Sequence, residues 1–311
     1  PHNGNLSNGR MFEETTFSGG PLTKAYAETR QKWEPLFELT QTKGQSESHP
    51  ALSPTDEFAG WDLCDRGNLN GTAKKPDMLR TEYWREALKS GLRLEASLGT
   101  NPFKYGANAA TDTHTALATG DEDNFWGKFV GAEPSAKRWK PVMIGAGQPG
   151  QIYSWEQAAS GYTGVWATSN SRAALFDAMK RRETFATSGP RMSVRFYGGY
   201  DFSDADTADL VKAGYSKGVP MGGDLKAAPE GKAPVFLIAA MKDPDGANLD
   251  RAQVIKGWLG ADGKTQEKIY EVKWSGERTP GADGKLPAVG NTVDLKTATY
   301  TNSIGAAELI T

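Results

Sequence analysis

The chain holds three histidines, His2, His49 and His114, and two of them stand two residues after an acid, in Glu47-Ser48-His49 and Asp112-Thr113-His114. In extended backbone, residues i and i+2 share a face. Each pair can therefore aim a carboxylate and an imidazole at one point. That donor combination suits a divalent transition metal such as Zn, Mn or Fe. Such pairs also arise by chance, so spacing alone leaves a metal pair and an ordinary polar pair both open, and His2 by itself says less still. Anionic substrates call for cations as well. Arg10, in the loop after His2, and Arg191, after Ser188-Gly189-Pro190, are candidates for gripping an oxyanion, since arginine pairs bidentately with phosphate. The competing role for each is a surface residue or a structural ion pair. Asn3 and Asn5 are candidates for touching substrate or for shaping the turn around His2. Lys128 faces either a pocket or a neighbouring domain.

The elements that must position these residues change character near residue 190. Before it, helical and strand patterns alternate. Residues 22–33 carry Ala25, Tyr26, Thr29 and Trp33 at helical spacing with Thr23 as a cap, and Leu36-Phe37-Glu38-Leu39-Thr40 reads as a strand. Thr81 is a candidate cap for a helix ending at Gly91. Asn170 or Ser171 would cap another that turns Ala174, Leu175, Ala178 and Met179 inward. The small-residue run Gly106-Ala107-Asn108-Ala109-Ala110 reads as a buried strand that sets Asp112 and His114 at its C-terminal end, where sites gather in α/β folds. The expected organisation is an α/β domain over 1–190 and a β-rich, sandwich-like domain over 191–311, with strands at 193–197, 235–241, 252–259 and 268–274.

Composition narrows the function classes. At 311 residues, 38% hydrophobic and 24% charged with a net charge of −2, the chain fits a globular protein and lacks the basic excess of a nucleic-acid-coating surface. No segment has the roughly 20 apolar residues of a membrane helix. A single cysteine, Cys64, rules out an internal disulfide and reads as an inert thiol. The glycine-rich stretches lack a P-loop Lys-Ser/Thr. No EF-hand spacing or nucleophile elbow is present.

Longer motifs point further. Residues 1–9 (Pro-His-Asn-Gly-Asn-Leu-Ser-Asn-Gly), Ser48-His49-Pro50, Gly99-Thr100-Asn101-Pro102-Phe103-Lys104, Thr111-Asp112-Thr113-His114-Thr115, the 122–128 stretch and the 180–191 segment together resemble a bacterial family, domain of unknown function 3604, related to the PHP (polymerase and histidinol phosphatase) superfamily of metal-dependent phosphoesterases. The resemblance spans essentially the whole chain. It implies the C-terminal part of a distorted (β/α)7 barrel. It further implies two or three divalent metals held by His2, His49, Asp112 and His114, with Glu47 a further ligand and Glu38 behind them. The implied activity is hydrolysis of a small anionic ester, a phosphoester above all, by a metal-activated hydroxide, with Asp112, His114 and Arg10 as the catalytic residues. Asn3, Asn5, Arg10 and Arg191 would contact substrate. The early PHP motifs would lie upstream of Pro1 and the pattern would continue past Thr311, so the chain reads as a piece of a longer protein, in a periplasmic or secreted setting. The alternative is a non-catalytic ligand- or carbohydrate-binding protein with a vestigial metal site. In that case Tyr197, Tyr200, Trp258 and Trp274 would form a solvent-facing row.

Overall fold

In the segment that carries the candidate residues, the parallel pair β1 (Leu36–Gln41) and β3 (Gly106–Ala109) runs side by side, with Leu36 opposite Gly106 and Thr40 opposite Ala109. The run at 106–109 is small because the chain packs closely on it. A Cβ on Gly106 would come within 2.7 Å of the Arg182 side chain, and one on Gly161 would meet Ala109 at 2.7 Å. β1 turns back antiparallel into β2 (Gly44–Gln45), pairing Gln41 with Gly44 so that Thr42 and Lys43 alone form the loop. Gly44 has φ of 88°, and a Cβ there would strike Cys64 at 2.7 Å, so this tight hairpin needs glycine. The computed structural model describes residues 1–311 apart from 118–119, 121–123, 125, 131–132, 134 and 158–159, which leaves Glu122, Asp123 and Phe125 of the 122–128 motif outside it.

Helices pack over this pair. α1 (Lys24–Trp33) is capped by Thr23, whose hydroxyl accepts from Tyr26 N at 3.2 Å. Its buried residue is Ala27, while Trp33 and Tyr26 face outward, so its inward face is rotated from the one the spacing picked out. Arg30 lies along that face, donating to the Met11 carbonyl and stacking over Phe103. α2 spans Trp84–Leu98 and ends at Gly99 in the left-handed conformation, passing straight through Gly91. Gly91 is there for a packing reason: a Cβ would lie 2.2 Å from the Asn101 side chain. Thr81 precedes the helix and donates to the Gly9 carbonyl instead of capping it. Phe12, Phe37, Phe103 and Tyr105 form an aromatic core between helices and strands, with ring centroids 5.0–6.2 Å apart. Such pairs add about 0.5–1.5 kcal/mol each beyond their burial.

The remaining strands of this unit are two short antiparallel pairs, β4 (Val142–Ile144) with β5 (Ile152–Tyr153) and β6 (Tyr162–Val165) with β7 (Thr184–Thr187). Between β6 and β7 lies α3 (Arg172–Lys180), capped by Ser171, with Ala178 fully buried. Thr163 and Thr184 fasten β6 and β7 to β3 by donating to the Ala109 and Ala107 carbonyls. This is a mixed α/β unit of small sheets; among the described residues no sheet closes into a barrel.

The chain divides into two units, Pro1–Gly189 with Gly257–Glu267, and Pro190–Lys256 with Lys268–Thr311. In the second unit β8 (Ser193–Gly199), β9 (Gly218–Pro220), β10 (Val235–Met241) and β13 (Glu308–Ile310) make a four-stranded antiparallel sheet in the order β13-β10-β8-β9. Helix α4 (Leu210–Lys217), which the sequence pattern did not single out, buries Leu210 and Ala213 with Tyr197, Phe202 and Leu237. β11 (Arg251–Leu259) and β12 (Thr265–Trp274) form a separate two-stranded ribbon. Tyr197 is buried, and Tyr200, Trp258 and Trp274 are half-buried, so these four do not form a solvent-facing row.

Candidate functional site

The first residues are held across β1. Glu38 N donates to the Pro1 carbonyl at 3.0 Å, and Gln41 Nε2 donates to Asn3 Oδ1 at 2.5 Å. Asn3 adopts a left-handed backbone, φ 58°, which suits asparagine. Asn5 Nδ2 donates to the Lys43 carbonyl at 2.9 Å, and Asn5 exchanges further hydrogen bonds with Ser46. Both asparagines are buried and committed to the frame. What they position is the hairpin tip, and with it Lys43.

Asp112 follows β3 after two residues and also has positive φ, 53°. Its meeting with His114 therefore comes from a kinked backbone and not from strand alternation. His114 Nε2 lies 3.2 Å from Asp112 Oδ1. Two ammonium groups reach the same carboxylate: Lys43, from the hairpin tip, and Lys128 both contact Asp112 Oδ2. Lys128 also donates to the Asp112 carbonyl at 2.6 Å and to His114 Nε2 at 3.1 Å. An ammonium can only donate, so the Nε2 lone pair faces it and the ring proton is assigned to Nδ1. The backbone reinforces the arrangement, with His114 N donating to the Lys128 carbonyl at 2.9 Å. A carboxylate oxygen, a carbonyl oxygen and an imidazole nitrogen thus surround one cation, the Lys128 ammonium.

Burial governs the titration here. It pulls the Lys43 ammonium down to about 7, with the charge of Lys128 working the same way, and pulls Lys128 down to about 8. Burial and then the lysine charges lower His114 and His2, which favours the neutral imidazole that a metal requires. Glu38 is pushed upward by burial, against the pull of both lysines. His2 and Glu38 therefore share the electrostatic neighbourhood of the Lys43–Asp112–Lys128 cluster.

His49 has its own partners. Its Nε2 lies 3.2 Å from Asp65 Oδ2, its Nδ1 accepts from Ala51 N at 3.1 Å, and its ring packs against Tyr83 at 5.4 Å. The Tyr83 hydroxyl is buried without a hydrogen-bond partner among the described residues. Glu47 is taken up by Arg85, whose Nε and Nη2 donate to Oε1 at 3.0 and 2.6 Å. The carbonyls of Ser46 and Glu47 accept from Trp84 N and Arg85 N, so the segment before His49 anchors the start of α2. Arg10 is exposed in the turn after Gly9. Arg191 belongs to the second unit and pairs there with Asp243 and Asp245. Burial pushes the Cys64 thiol up to about 12, so it is not a nucleophile at neutral pH.

The donors fit a metal in part. Asp112 and His114 present an oxygen and a lone pair to one point, and His49 with Asp65 presents a second pair. No group of three or more His, Cys, Asp or Glu side chains able to hold a metal ion is assembled among the described residues. Lys43 and Asp65 were not singled out from the sequence, since neither carries a periodic or spacing signal.

The family model of proteins of unknown function named DUF3604 matches residues 1–311, so the chain belongs to that family. Neither curated proteins nor solved structures gave a match. No helix among the described residues is long and apolar enough to cross a membrane.

Proposed function

We propose that this chain carries part of a metal-dependent hydrolase site acting on small anionic esters, phosphoesters above all. The observation that supports it is the convergence of Asp112 Oδ2, the Asp112 carbonyl and His114 Nε2 on one cation, the ammonium of Lys128. Three electron-pair donors around a point make a cation site by their own chemistry, and a carboxylate with a neutral imidazole is a common donor set for Zn, Mn or Fe. In this reading Asp112 and His114 are the core ligands, His2 approaches from the segment held across β1, and His49 with Asp65 is a second donor pair. A bound divalent metal would supply a nucleophile at neutral pH and draw off charge developing on the ester oxygens. The chain's own contribution is positioning. The hairpin pinned by Asn3 and Asn5 fixes Lys43, and the Lys128 backbone fixes His114. In this reading the β1–β3 pair, with Asp112 and His114 just past the end of β3, would be neighbouring strands of a PHP-type sheet.

The test is turnover of a panel of nitrophenyl phosphate mono- and diesters by the purified full-length protein. Hydrolysis that falls by at least about 100-fold in Asp112→Ala, as expected for a lost metal ligand, supports the reading. Turnover unchanged by that substitution removes it.

A further inference from the structure

The turn that presents His49 also orients its ring. The His49 carbonyl accepts from Leu52 N at 2.8 Å and from Ser53 N at 2.9 Å, and the ring Nδ1 accepts from Ala51 N at 3.1 Å. A backbone amide can only donate, so Nδ1 offers its lone pair and the ring proton is assigned to Nε2, which faces Asp65 Oδ2 at 3.2 Å. The tautomer and direction of this imidazole are therefore set by the backbone of residues 49–53. A hydrogen bond to one ring nitrogen decides which nitrogen carries the proton, so displacing that backbone changes both.

Two anchors hold the turn. Its flanks are held by Arg85, at the start of α2, which donates to Glu47 before the turn and to Asp56 after it. The turn itself is held from a distant part of the chain. Ser53, 3% exposed, donates its hydroxyl proton to Glu267 Oε1, 214 residues away. Glu267 lies in β12, on the ribbon segment Gly257–Glu267 that belongs to the first unit. Its Oε2 lies 3.3 Å from Lys89 Nζ, and its Oε1 lies 3.9 Å from Arg85 Nη1. An anchor that served the ribbon alone would be complete with these two cations of α2. The Ser53 hydroxyl does something else: it ties the carboxylate to the residue whose amide bonds the His49 carbonyl. The Glu267 side chain is 13% exposed, so little water is at hand to replace a lost donor.

We propose that Glu267 is a positioning residue for His49, holding through Ser53 the turn that sets the tautomer and direction of the imidazole. Its consequence for hydrolysis rests on the reading of His49 as part of the site, while the positioning itself does not. Nitrogen–proton correlation spectra of the histidine rings, taken on metal-free full-length protein above the histidine titration range, report the tautomer without metal or turnover. The His49 signals are assigned by their loss in His49→Gln. Wild-type His49 is expected to carry its proton on Nε2. Ser53→Ala and Glu267→Ala are each expected to lower the ratio of Nε2-protonated to Nδ1-protonated ring at least about threefold, as the weakening of one hydrogen bond to the ring implies, with the His2 and His114 signals unchanged. Glu267→Gln, which keeps an acceptor oxygen for Ser53, is expected to retain the wild-type ratio, a rescue that a general loss of stability would not give. His49 signals indifferent to both alanine variants overturn the proposal, as does a wild-type ring protonated on Nδ1. Should Glu267→Ala fail to fold, Ser53→Ala, which removes a single oxygen, decides alone. A wild-type protein with neither metal nor turnover would remove the hydrolase reading and leave the ring result standing. Unchanged ring signals in an active, metal-loaded enzyme would remove the positioning and leave the hydrolase.

Discussion

The first unit buries two lysine clusters that share a neighbour, and they are built differently. Lys74 donates to the Asn5 carbonyl, Asn68 Oδ1 and both oxygens of Glu82 at 2.7–2.8 Å, and Glu82, with no exposed surface, also accepts from Gly9 N at 2.8 Å. One cation faces one anion with every donor met. At Asp112, two lysines share one carboxylate and hydrogen-bond to each other. Asn5 bonds to both groups, through its carbonyl to Lys74 and through its amide to the Lys43 backbone. The contrast separates a polar group committed to holding the fold from one less committed to it. A closed network satisfies itself, while a cluster in which two lysines share one carboxylate is held less tightly.

Breaking each cluster should have opposite signatures. Glu82→Gln strands Lys74 in the interior and is expected to cost about 3–5 kcal/mol in urea unfolding, because removing one partner of a buried pair leaves an uncompensated charge. Asp112→Asn should cost about 1 kcal/mol or less in the metal-free protein, since an ammonium at about 7 can shed its proton where its acceptor is lost. Equal losses in the two variants would erase the distinction between the clusters. Asn5→Ala sits between them. It is expected to lose about 1–3 kcal/mol through unmet polar groups and also to lower metal content by loosening the hairpin whose Lys43 contacts Asp112. A stability loss with unchanged metal content would show that the proposed site does not depend on that anchor.

The pH dependence sharpens the same contrast. The unfolded chain holds lysine protons up to about 10.5, while Lys43 and Lys128 release theirs at about 7 and about 8 when folded. Below the folded values both states are charged and the burial penalty is fully present. As pH rises from about 7 towards 10.5 the unfolded state binds more protons than the folded one, so stability rises across that window. Metal-free wild type should therefore gain stability between pH 6.5 and 9 relative to the Lys43→Met/Lys128→Met variant, read as urea midpoints. Parallel curves would mean that the two ammonium groups are not penalised by burial. The smallest expected effect is at Tyr83, whose hydroxyl lacks a partner. Tyr83→Phe removes an unsatisfied polar atom and should leave stability unchanged or raise it by up to about 1 kcal/mol. A clear loss would reveal a partner for that hydroxyl.

Much of the local framework was legible because it rests on short-range chemistry. Thr23 and Ser171 cap helices as their type and position indicate, and the Gly106–Ala109 run is the strand it reads as, its residues small because neighbours pack closely on it. What was not legible depends on long-range packing or on single backbone angles. Gly91 reads as a helix end until Asn101 is seen lying against it. At the site, the adjacency of Asp112 and His114 was readable, but the left-handed turn that makes it was not. Nor was the diversion of Glu47 to Arg85, which depends on how α2 starts. Lys43 gave no signal, since a lysine in a two-residue loop is ordinarily a solvated one.

The proposed site would hold a divalent metal on Asp112 and His114. Elemental analysis of the purified full-length protein beside Asp112→Asn tests it most directly, with both confirmed folded by circular dichroism. At least one equivalent of Zn, Mn or Fe is expected in the wild type, and at least one equivalent fewer in the variant. Identical metal content in the two proteins, or none in either, would contradict it.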